Sequence, residues 1–472
     1  MAENKAPQNI DNKHASYDTW KIIWKRTRDG IAGQEKIKSE GKTYLPQLGG
    51  QSTDSYNAYL QRSQYTNYSG KTLDVALGQL FRKLPIIAGI EDENINNISL
   101  TGQSAYYFAK DTAAEMMTVN RVGIMVDYSV DQERTYLTQY NAEQIINWDE
   151  TIIDGVKKLS LVVLEGQINV SKNIFVPDLK TAWRVLQIED GKFVVRDYIK
   201  TGTANDKSFT MQNEFIPLKD GSPLEFIPFY FFTVDGISTK IKKSPLADFV
   251  NVNLGHYKNS ADLENMLHLT GAKTVVTKGW PKGVPVPIGG SFDVGDNGDA
   301  FYLEAKSDSG IKDEMRHKEE QMAALGTSII TGQGRYVQSA ETASITSQGE
   351  YATLADVSNA LSDNFNTVLK VMADWEKQDP EKVNVEFNDD FETSSIDPAV
   401  LTALMGAVQA GYMSEDTYFY NLNKKEVYPD GWTMDDERKA IEKNKPKPET
   451  MDLNDTPIKT EQNPEVVNNE TE

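Results

Sequence analysis

The pattern of apolar positions is most regular between residues 244 and 375, where it predicts three helices. Apolar side chains recur every three or four residues over 246–261, which indicates one buried face on a helix that starts at Ser244-Pro245 and stops at Gly271. A second helix, 306–326, has one apolar face and one charged face. A stripe over 342–375 predicts a rod of roughly 50 Å at about 1.5 Å per residue. The apolar face of the second helix consists of Ile311, Met315, Met322 and Leu325.

The chain before this block changes its period once. Helical spacing predicts helices over 17–40, 54–82 and about 101–118. From Val122 to Phe232, short apolar runs separated by turn signals predict an antiparallel β region of six to eight strands. Asp190-Gly191 is the expected turn of one hairpin in that region. Helices and strands therefore occupy separate parts of the chain, which predicts an α+β fold.

Three elements are predicted after the block. Residues 383–387 alternate as a single strand, and 398–411 form a helix whose Ala and Gly content suggests close packing. Another short helix follows Ser414. From about Lys445 the chain is rich in Pro, Lys, Glu and Asn, and we expect residues 446–472 to be a disordered acidic tail.

Composition restricts the class of protein. The 472 residues carry a formal net charge of -21, which argues against a protein that binds nucleic acid tightly over its surface. There are no cysteines, so disulfides, thiolate metal sites and cysteine nucleophiles are excluded. The N-terminus is polar, and no run of about 18 apolar residues occurs. We therefore expect a protein that is neither secreted by a standard signal nor membrane-spanning.

Catalytic and metal-binding motifs are largely missing, so we expect no enzyme and no cofactor. No GxxxxGK[ST] phosphate loop is present, and the Ser and Thr residues of 327–347 have no neighbouring base in the sequence. Asp389-Asp390 and 435–437 lack calcium-loop spacing and are interpreted as solvated acidic turns. The four histidines are interpreted as scattered surface or interface residues, and five aromatic residues as packing groups. These are His14, His256, His268 and His317, and Tyr65, Tyr68, Tyr106, Tyr107 and Phe108.

Several local features, taken in order, resemble the portal proteins of tailed bacteriophages, in a subfamily known as a phage domain of unknown function. They extend over about three-quarters of the chain. They are Gly41 with Tyr44-Leu45-Pro46; Phe81-Arg82-Lys83 before Pro85; Ile145-Ile146-Asn147-Trp148 before Asp154-Gly155; Ile227-Pro228; Leu254, His256-Tyr257, Ser260-Ala261-Asp262 and Leu267-His268; and Met322, Leu325-Gly326 and Glu341-Thr342-Ala343.

The resemblance implies a ring-shaped oligomer, usually a dodecamer, at one capsid vertex. Double-stranded DNA would pass through it without sequence-specific contact. It also implies a map of domains in this order: a wing over 1–243, helical and then β-rich; a first stem helix over 244–270; a clip over 271–305; a second stem helix over 306–326; a tunnel loop over 327–342; a long wing helix and strand over 343–395; a helical crown over 396–445; and the tail over 446–472.

The same resemblance implies roles for particular residues. The tunnel loop would face DNA through Gln333, Arg335, Tyr336 and Gln338. The stem would present Lys312, Arg316 and Lys318, and the clip would meet other proteins through Trp280, Lys282, Phe292, Phe301 and Tyr302. Two interpretations of Arg335 stay open, namely contact with phosphate and an ion pair with Glu341 or a neighbouring subunit. For the stem cations we favour ion pairs between subunits.

The implied partners are copies of the chain, a terminase large subunit that supplies ATP hydrolysis, head-tail adaptor or tail proteins, and capsid or scaffold proteins. The implied location is the virion, with assembly in the host cytoplasm. Two alternatives remain. Another virion protein such as an adaptor would lack the order helix, clip, helix, loop and long helix. An acidic hydrolase would need a carboxylate pair, which the sequence does not reveal.

Overall fold

The chain has an α+β fold, seen in a computed structural model that divides it into two compact units, 1–391 and 392–472. The structure describes residues 9–444 except 154, 172, 174, 202–207, 272–273, 283, 287–292, 304–308, 331–351, 390, 392–397, 425–426 and 429–431. The predicted tail therefore lies outside the described residues.

Six helices open the first unit. They are α1 (Tyr17–Ala32), α2 (Gln34–Ser39), α3 (Thr53–Arg62), α4 (Tyr68–Leu80), α5 (Asp92–Asn96) and α6 (Ala105–Val119). The helix predicted over 17–40 is broken at Gly33, which has φ +94°. The single helix predicted over 54–82 is wrong, because the side chain of Asn67 accepts a hydrogen bond from the Gly70 amide at 2.9 Å and starts a new helix.

Two antiparallel sheets follow the helices. The strand β1 (Ile86–Ala88) lies earlier in the chain, between α4 and α5, and belongs to neither sheet. The later strands are β2 (Val122–Ser129), β3 (Arg134–Asn141), β4 (Ile145–Ile153), β5 (Val156–Asn169), β6 (Leu179–Glu189), β7 (Lys192–Lys200), β8 (Phe209–Phe215), β9 (Leu218–Lys219), β10 (Ser222–Pro223), β11 (Phe229–Thr233) and β12 (Gly236–Ile237), of which β9 and β10 pair only with each other. One sheet has the order β12-β11-β2-β3 and the other is a meander, β4-β5-β6-β7-β8.

The prediction of six to eight strands in this region is too low. Eleven strands lie between Val122 and Ile237 among the residues that the structure describes, because β4 and the polar edge strand β8 give weak apolar signals and β9, β10 and β12 have two residues each. The predicted hairpin is confirmed. Asp190 and Gly191 join β6 to β7 with φ +49° and +75°, as a two-residue turn of this kind requires.

Where the structure describes it, the rest of the first unit contains three long helices and three strands. They are α7 (Ala247–Gly271), β13 (Thr274–Lys278), β14 (Asp299–Leu303), α8 (Ser309–Ile330), α9 (Ala352–Trp375) and β15 (Asn384–Glu386). The stop at Gly271 is confirmed, and α8 extends four residues beyond the predicted 326. The described 24 residues of α9 correspond to about 36 Å, and the predicted earlier part of that rod lies outside the described residues.

The main core of the first unit forms around α9. Its stripe is buried as predicted, against α4, α6 and the sheet that contains β2. The buried members are Leu354, Val357, Leu361, Phe365, Val368 and Met372. The strand predicted at 383–387 is β15, and it pairs antiparallel with β1. Elements from both ends of the first unit therefore pack against α9 in one shared core.

Two arginines, Arg28, which is partly buried, and Arg121, which is fully buried, are held in different ways. Arg28 forms paired hydrogen bonds with Glu115 (2.7 and 2.6 Å) and with Glu143 (2.6 and 2.9 Å). Arg121 is fully buried, and its Cζ lies 4.0 Å from the ring centroid of Trp148 and 4.2 Å from that of Phe231.

The charge of Arg121 has little polar compensation. Its Nη1 donates to the Thr239 carbonyl at 2.9 Å, and its Nε and Nη2 have no hydrogen-bond partner among the described residues. Burial lowers the pKa of Arg121 to about 9. On the edge of the same cluster, His14 stacks on Trp148 with ring centroids 3.9 Å apart. Burial, and after it the charge of Arg121, lowers the pKa of His14.

The second unit is described through three helices, α10 (Pro398–Gln409), α11 (Glu415–Lys424) and α12 (Met434–Asn444). The helix predicted over 398–411 is therefore present. So is the short helix predicted after Ser414. No helix in the described part of the chain is both long enough and apolar enough to cross a membrane.

Candidate functional site

The helices α7 and α8 form an antiparallel pair that carries the β13–β14 hairpin at one end. Near the body of the unit, Gly326 lies against Phe249, where an added Cβ would be 3.1 Å from Cε2 of the ring. Eight residues earlier in α8, the stem of Lys318 crosses Gly255, where a Cβ would lie 2.9 Å from Cε of the lysine. The small residues allow close approach of the two helices.

A buried amide fixes the inner half of α7. Asn253 is fully buried, and its Oδ1 accepts hydrogen bonds from the Tyr65 hydroxyl (3.0 Å), the Ser69 amide (3.1 Å) and the Ser69 hydroxyl (2.9 Å). Its Nδ2 donates to the Thr66 carbonyl at 3.0 Å. A buried polar group needs such partners, so the network permits one rotation of α7 about its axis.

A second brace reaches further along α7. The Tyr59 hydroxyl donates to Asp262 at 2.6 Å, and Nη2 of Arg62 donates to Asn265 Oδ1 at 2.9 Å. Burial, and after it the hydrogen bond to Asp262, raises the pKa of the Tyr59 hydroxyl. Of these hydrogen bonds from α3, the one from Arg62 lies furthest along α7, so the body supports α7 to about residue 265.

Residues 262–321, which we call the outer segment, are much more exposed. None of its residues whose side chains the structure describes is buried. The most exposed large apolar side chains are Leu267 (46%), Leu269 (55%), Val284 (48%) and Phe301 (53%). The outer segment contains eleven acidic and seven basic residues, a net charge of -4. Such a surface offers apolar contacts within a weakly acidic surround.

The hairpin at the end of the outer segment holds the predicted clip residues. Its strands pair from Thr274 with Leu303 to Lys278 with Asp299. Trp280 is half-buried and its indole N–H donates to the Val284 carbonyl at 2.9 Å, while Lys282 and Phe301 are exposed. Phe292 lies outside the described residues, as does the side chain of Tyr302.

The predicted stem cations lie on α8. Arg316 pairs with Asp313 at 3.2 Å and Lys318 pairs with Glu314, both within the helix. The hydrogen bond from Lys318 lowers the pKa of Glu314. Lys312 is exposed. Pairing of these cations between subunits stays a prediction, as do the roles of Gln333, Arg335, Tyr336 and Gln338, all of which lie outside the described residues.

Sequence analysis missed a polar cluster between the two helices. His256 is 3% exposed, and its Nε2 lies 3.2 Å from Oε1 of Glu319 on α8. The Tyr68 hydroxyl donates to the same oxygen at 3.4 Å, and the Tyr68 ring meets the His256 ring edge-on at 5.7 Å. The interpretation of this histidine as a surface residue is therefore wrong, because it lies between α4, α7 and α8.

The sequence indicates only some of the buried polar residues between these helices. Asn253 interrupts the apolar face of α7 between Val250 and Tyr257, and a polar residue at such a position indicates a buried hydrogen bond. Glu319 lies on the charged face of α8, and its partner is 63 residues away in the chain. No periodicity predicts that pairing.

The other predicted groups have ordinary structural roles. Of the five aromatic residues, Tyr65 and Phe108 are buried, whereas Tyr107 is 61% exposed. Asp436 accepts hydrogen bonds from the Thr433 amide and hydroxyl, at 3.1 and 2.6 Å, and so caps α12. Among the described residues, no group of three His, Asp or Glu side chains is placed to hold a metal ion. The described chemistry is that of packing and surface contact.

One family model matches the chain, over residues 245–376, and its description is "Domain of unknown function (DUF4055)". The matched range is a little over a quarter of the chain and runs from the start of α7 to the end of α9. No curated protein matches the chain.

Solved structures of gene transfer agent (GTA) particles are similar over most of the chain. The neck of a native GTA particle computed with C12 symmetry has 11% identity and a TM-score of 0.36, covering 77% of this chain and 92% of that one. The neck of an empty GTA particle computed with C6 symmetry has 12% identity and a TM-score of 0.38, covering 83% and 99%. The virion of a native GTA particle has 12% identity and a TM-score of 0.36, covering 82% and 98%.

Proposed function

We propose that the chain is a portal protein. Copies form a ring at one capsid vertex, and double-stranded DNA enters and leaves the particle through the channel of the ring. The stem consists of residues 244–270 and 306–326, the clip of residues 271–305, and residues 327–342 line the channel. Residues 1–243 and 343–395 form the wing. The protein is non-enzymatic in this proposal, and ATP hydrolysis belongs to a separate terminase motor.

The observation that supports this function best is the outer segment. Its two helices and hairpin extend past the braces of α3 and leave apolar side chains exposed, among them Leu267 and Leu269. A segment of about 60 residues in which none of the described side chains is buried gains little from its own subunit. In a ring, one face of each outer segment meets a different face of the next, and such heterologous contacts close on themselves.

The charge distribution suits a conduit. Tight binding of DNA requires clustered cations, and each phosphate that a lysine or arginine neutralises makes binding stronger and more dependent on salt. The outer segment has a net charge of -4, and the predicted tunnel loop has Arg335 as its single basic residue. Such a wall contacts DNA weakly, so that the duplex can slide along it.

The partners follow from the same geometry. The exposed hairpin is the surface that meets the terminase large subunit during packaging and adaptor or tail proteins afterwards. Capsid or scaffold proteins meet the wing. The protein resides in the virion in this proposal, after assembly in the host cytoplasm.

The first test is the state of the purified full chain, measured by native mass spectrometry and negative-stain imaging. We expect a closed ring of about twelve copies, since closed cyclic symmetry satisfies every heterologous contact. A stable monomer with hydrolase activity would refute the proposal. A ring without a channel wide enough for duplex DNA would also refute it.

The second test concerns Arg335. Charge reversal, Arg335→Glu, should impair packaging or retention of DNA while rings still assemble, because the single cation of each loop is lost. Lys258→Glu is the matched control, since Lys258 is an exposed cation on α7 and not part of the predicted loop. Normal packaging by the Arg335 variant would remove the proposed role, and loss of rings would point to an ion pair with Glu341 or a neighbouring subunit.

A further inference from the structure

The helix α10 in the second unit has an apolar surface that its own unit does not cover. Within Pro398–Gln409 there is no charged residue, and none of residues 399–409 is buried. Val400 is 53% exposed and Met405 is 46% exposed. A helix that is apolar around most of its circumference is normally enclosed by protein.

The described core of the second unit forms elsewhere. Its buried apolar residues are Phe419 and Leu422 on α11, and the Phe419 ring lies 4.6 Å from the ring of Tyr428. A core of this size leaves α10 without support, because small units gain too little from burial to offset the entropy of folding. We therefore expect another protein surface to cover the apolar surface of α10.

The charge of the chain favours a second copy as that partner. The whole chain has a net charge of -21, so most surfaces of two copies repel each other. Residues 398–414 form the longest stretch of the sequence without Asp, Glu, Lys or Arg. Two copies of α10 can meet without bringing like charges together, which few other surfaces of this chain permit.

The helix also carries two faces of different size. At 100° per residue, the bulky face contains Val400, Leu401, Leu404, Met405 and Val408. The opposite face consists of small residues, namely Ala399, Ala403, Gly406 and Ala407. Within the subunit, a Cβ added to Gly406 would meet nothing within 4 Å, so the small face has room for another helix.

We propose that α10 packs against α10 of neighbouring copies, with the bulky face of one helix on the small face of the next. A contact between two different faces repeats from copy to copy and suits a ring. The inference rests on the proposed function, which supplies the neighbouring copies. It goes beyond that function because contacts of the first unit alone could hold a ring together.

The absence of cysteine allows a direct test in the full chain. We would co-express an affinity-tagged Ala403→Cys chain with an untagged Val400→Cys chain and measure disulfide-linked mixed dimers after mild oxidation. The matched control replaces Val400→Cys by Ile441→Cys on α12, because Ile441 is 51% exposed and lies in the same unit. We expect mixed dimers with Val400→Cys and at least a tenfold lower yield with Ile441→Cys.

A second pair of variants tests the apolar contact. Val400→Glu should lower the yield of cross-linked species at Ala403→Cys about tenfold, since burial of an unpaired carboxylate opposes the contact, whereas Ile441→Glu should leave it unchanged. Rings without cross-links would overturn this inference and leave the proposed function standing. Cross-links in an assembly that is not a ring would support the inference and refute the proposed function.

Discussion

The buried guanidinium of Arg121 gives the sharpest test of how this fold is stabilised. We predict that Arg121→Met changes the free energy of unfolding by no more than about 1 to 2 kcal/mol, since a buried charge can often be replaced by a well-packed apolar side chain at little cost. The matched control is Arg28→Met, which makes the same substitution at a partly buried arginine that has two carboxylate partners. That control should cost about 3 kcal/mol, because it leaves carboxylates without their cation.

The magnitude for Arg121 follows from opposing contributions. The fall in pKa from 12.5 to about 9 corresponds to about 5 kcal/mol against the charged form. Against this, contacts with Trp148 and Phe231 contribute about 2 kcal/mol each when desolvated. The hydrogen bond to Thr239 contributes about 1.5 to 3 kcal/mol, as is usual for a charged donor. These contributions nearly cancel, so the charge adds little net stability.

The contributions at Arg28 do not cancel. The side chains of Glu115 and Glu143 are 17% and 26% exposed, so solvent screens them only in part. Methionine offers these two carboxylates no hydrogen bond. The cost therefore lies at the lower end of the values for broken buried ion pairs, about 3 kcal/mol.

Urea-induced unfolding of the two variants and the parent, followed by circular dichroism at one protein concentration, measures the difference. Arg121→Met should have a midpoint close to the parent, and Arg28→Met a clearly lower one. An equal loss in both variants would refute the argument, because it would mean that the aromatic rings stabilise the cation as strongly as carboxylates do.

Two further predictions use neighbouring parts of the first unit. Gly30→Ala should lower the free energy of unfolding by about 1 to 3 kcal/mol, because the new methyl would lie 2.5 Å from Val250 Cγ1. Gly78→Ala, with open space around the new methyl, should leave it unchanged or raise it by up to about 1 kcal/mol. Thermal unfolding measures both variants, and equal effects would contradict the packing argument. Burial lowers the pKa of His14 in the folded state, which favours the neutral imidazole. The stability that His14 contributes should therefore be fully present above about pH 6.5, the pKa of an unfolded histidine, and should be lost as the pH falls through the lower pKa of the folded state. His14→Phe keeps a ring on Trp148 but has no group that titrates. If the free energy of unfolding of this variant depends on pH as that of the parent does, His14 is not the source of the dependence.

Elements with a strong period could be predicted, and so could those of their ends that the local sequence marks. The stripe that ends at Trp375 and the helix stop at Gly271 are both confirmed, since each depends on local sequence. The break between α3 and α4 escaped prediction because residues 63–67 carry no glycine or proline. Asn67 in this stretch caps α4, and the rest is held out of a helix by distant contacts: the Tyr65 hydroxyl oxygen lies 2.8 Å from the carbonyl oxygen of Gly30 and 3.0 Å from Asn253 Oδ1.

The candidate site could be predicted in outline but not in its contacts. The order of helix, hairpin and helix is visible in the sequence, whereas the cluster of His256, Glu319 and Tyr68 joins three elements that are far apart in the chain. At the helix predicted over 398–411, the sequence predicts the packing residues but not their partner. Its small residues predict close packing, but the sequence does not indicate that the packing surface is left exposed by its own unit.

In the proposed ring, stability of the subunit and association of subunits depend on different surfaces of this chain. The buried cores of the first unit lie among α1 to α6, the two sheets, the inner half of α7 and α9. The exposed apolar side chains of the outer segment and of α10 add little to those cores, so substitution there should leave the subunit folded. The net charge of -21 opposes contact between copies at other surfaces. Copies that meet are therefore favoured to meet through these two regions, and the acidic remainder limits unwanted association.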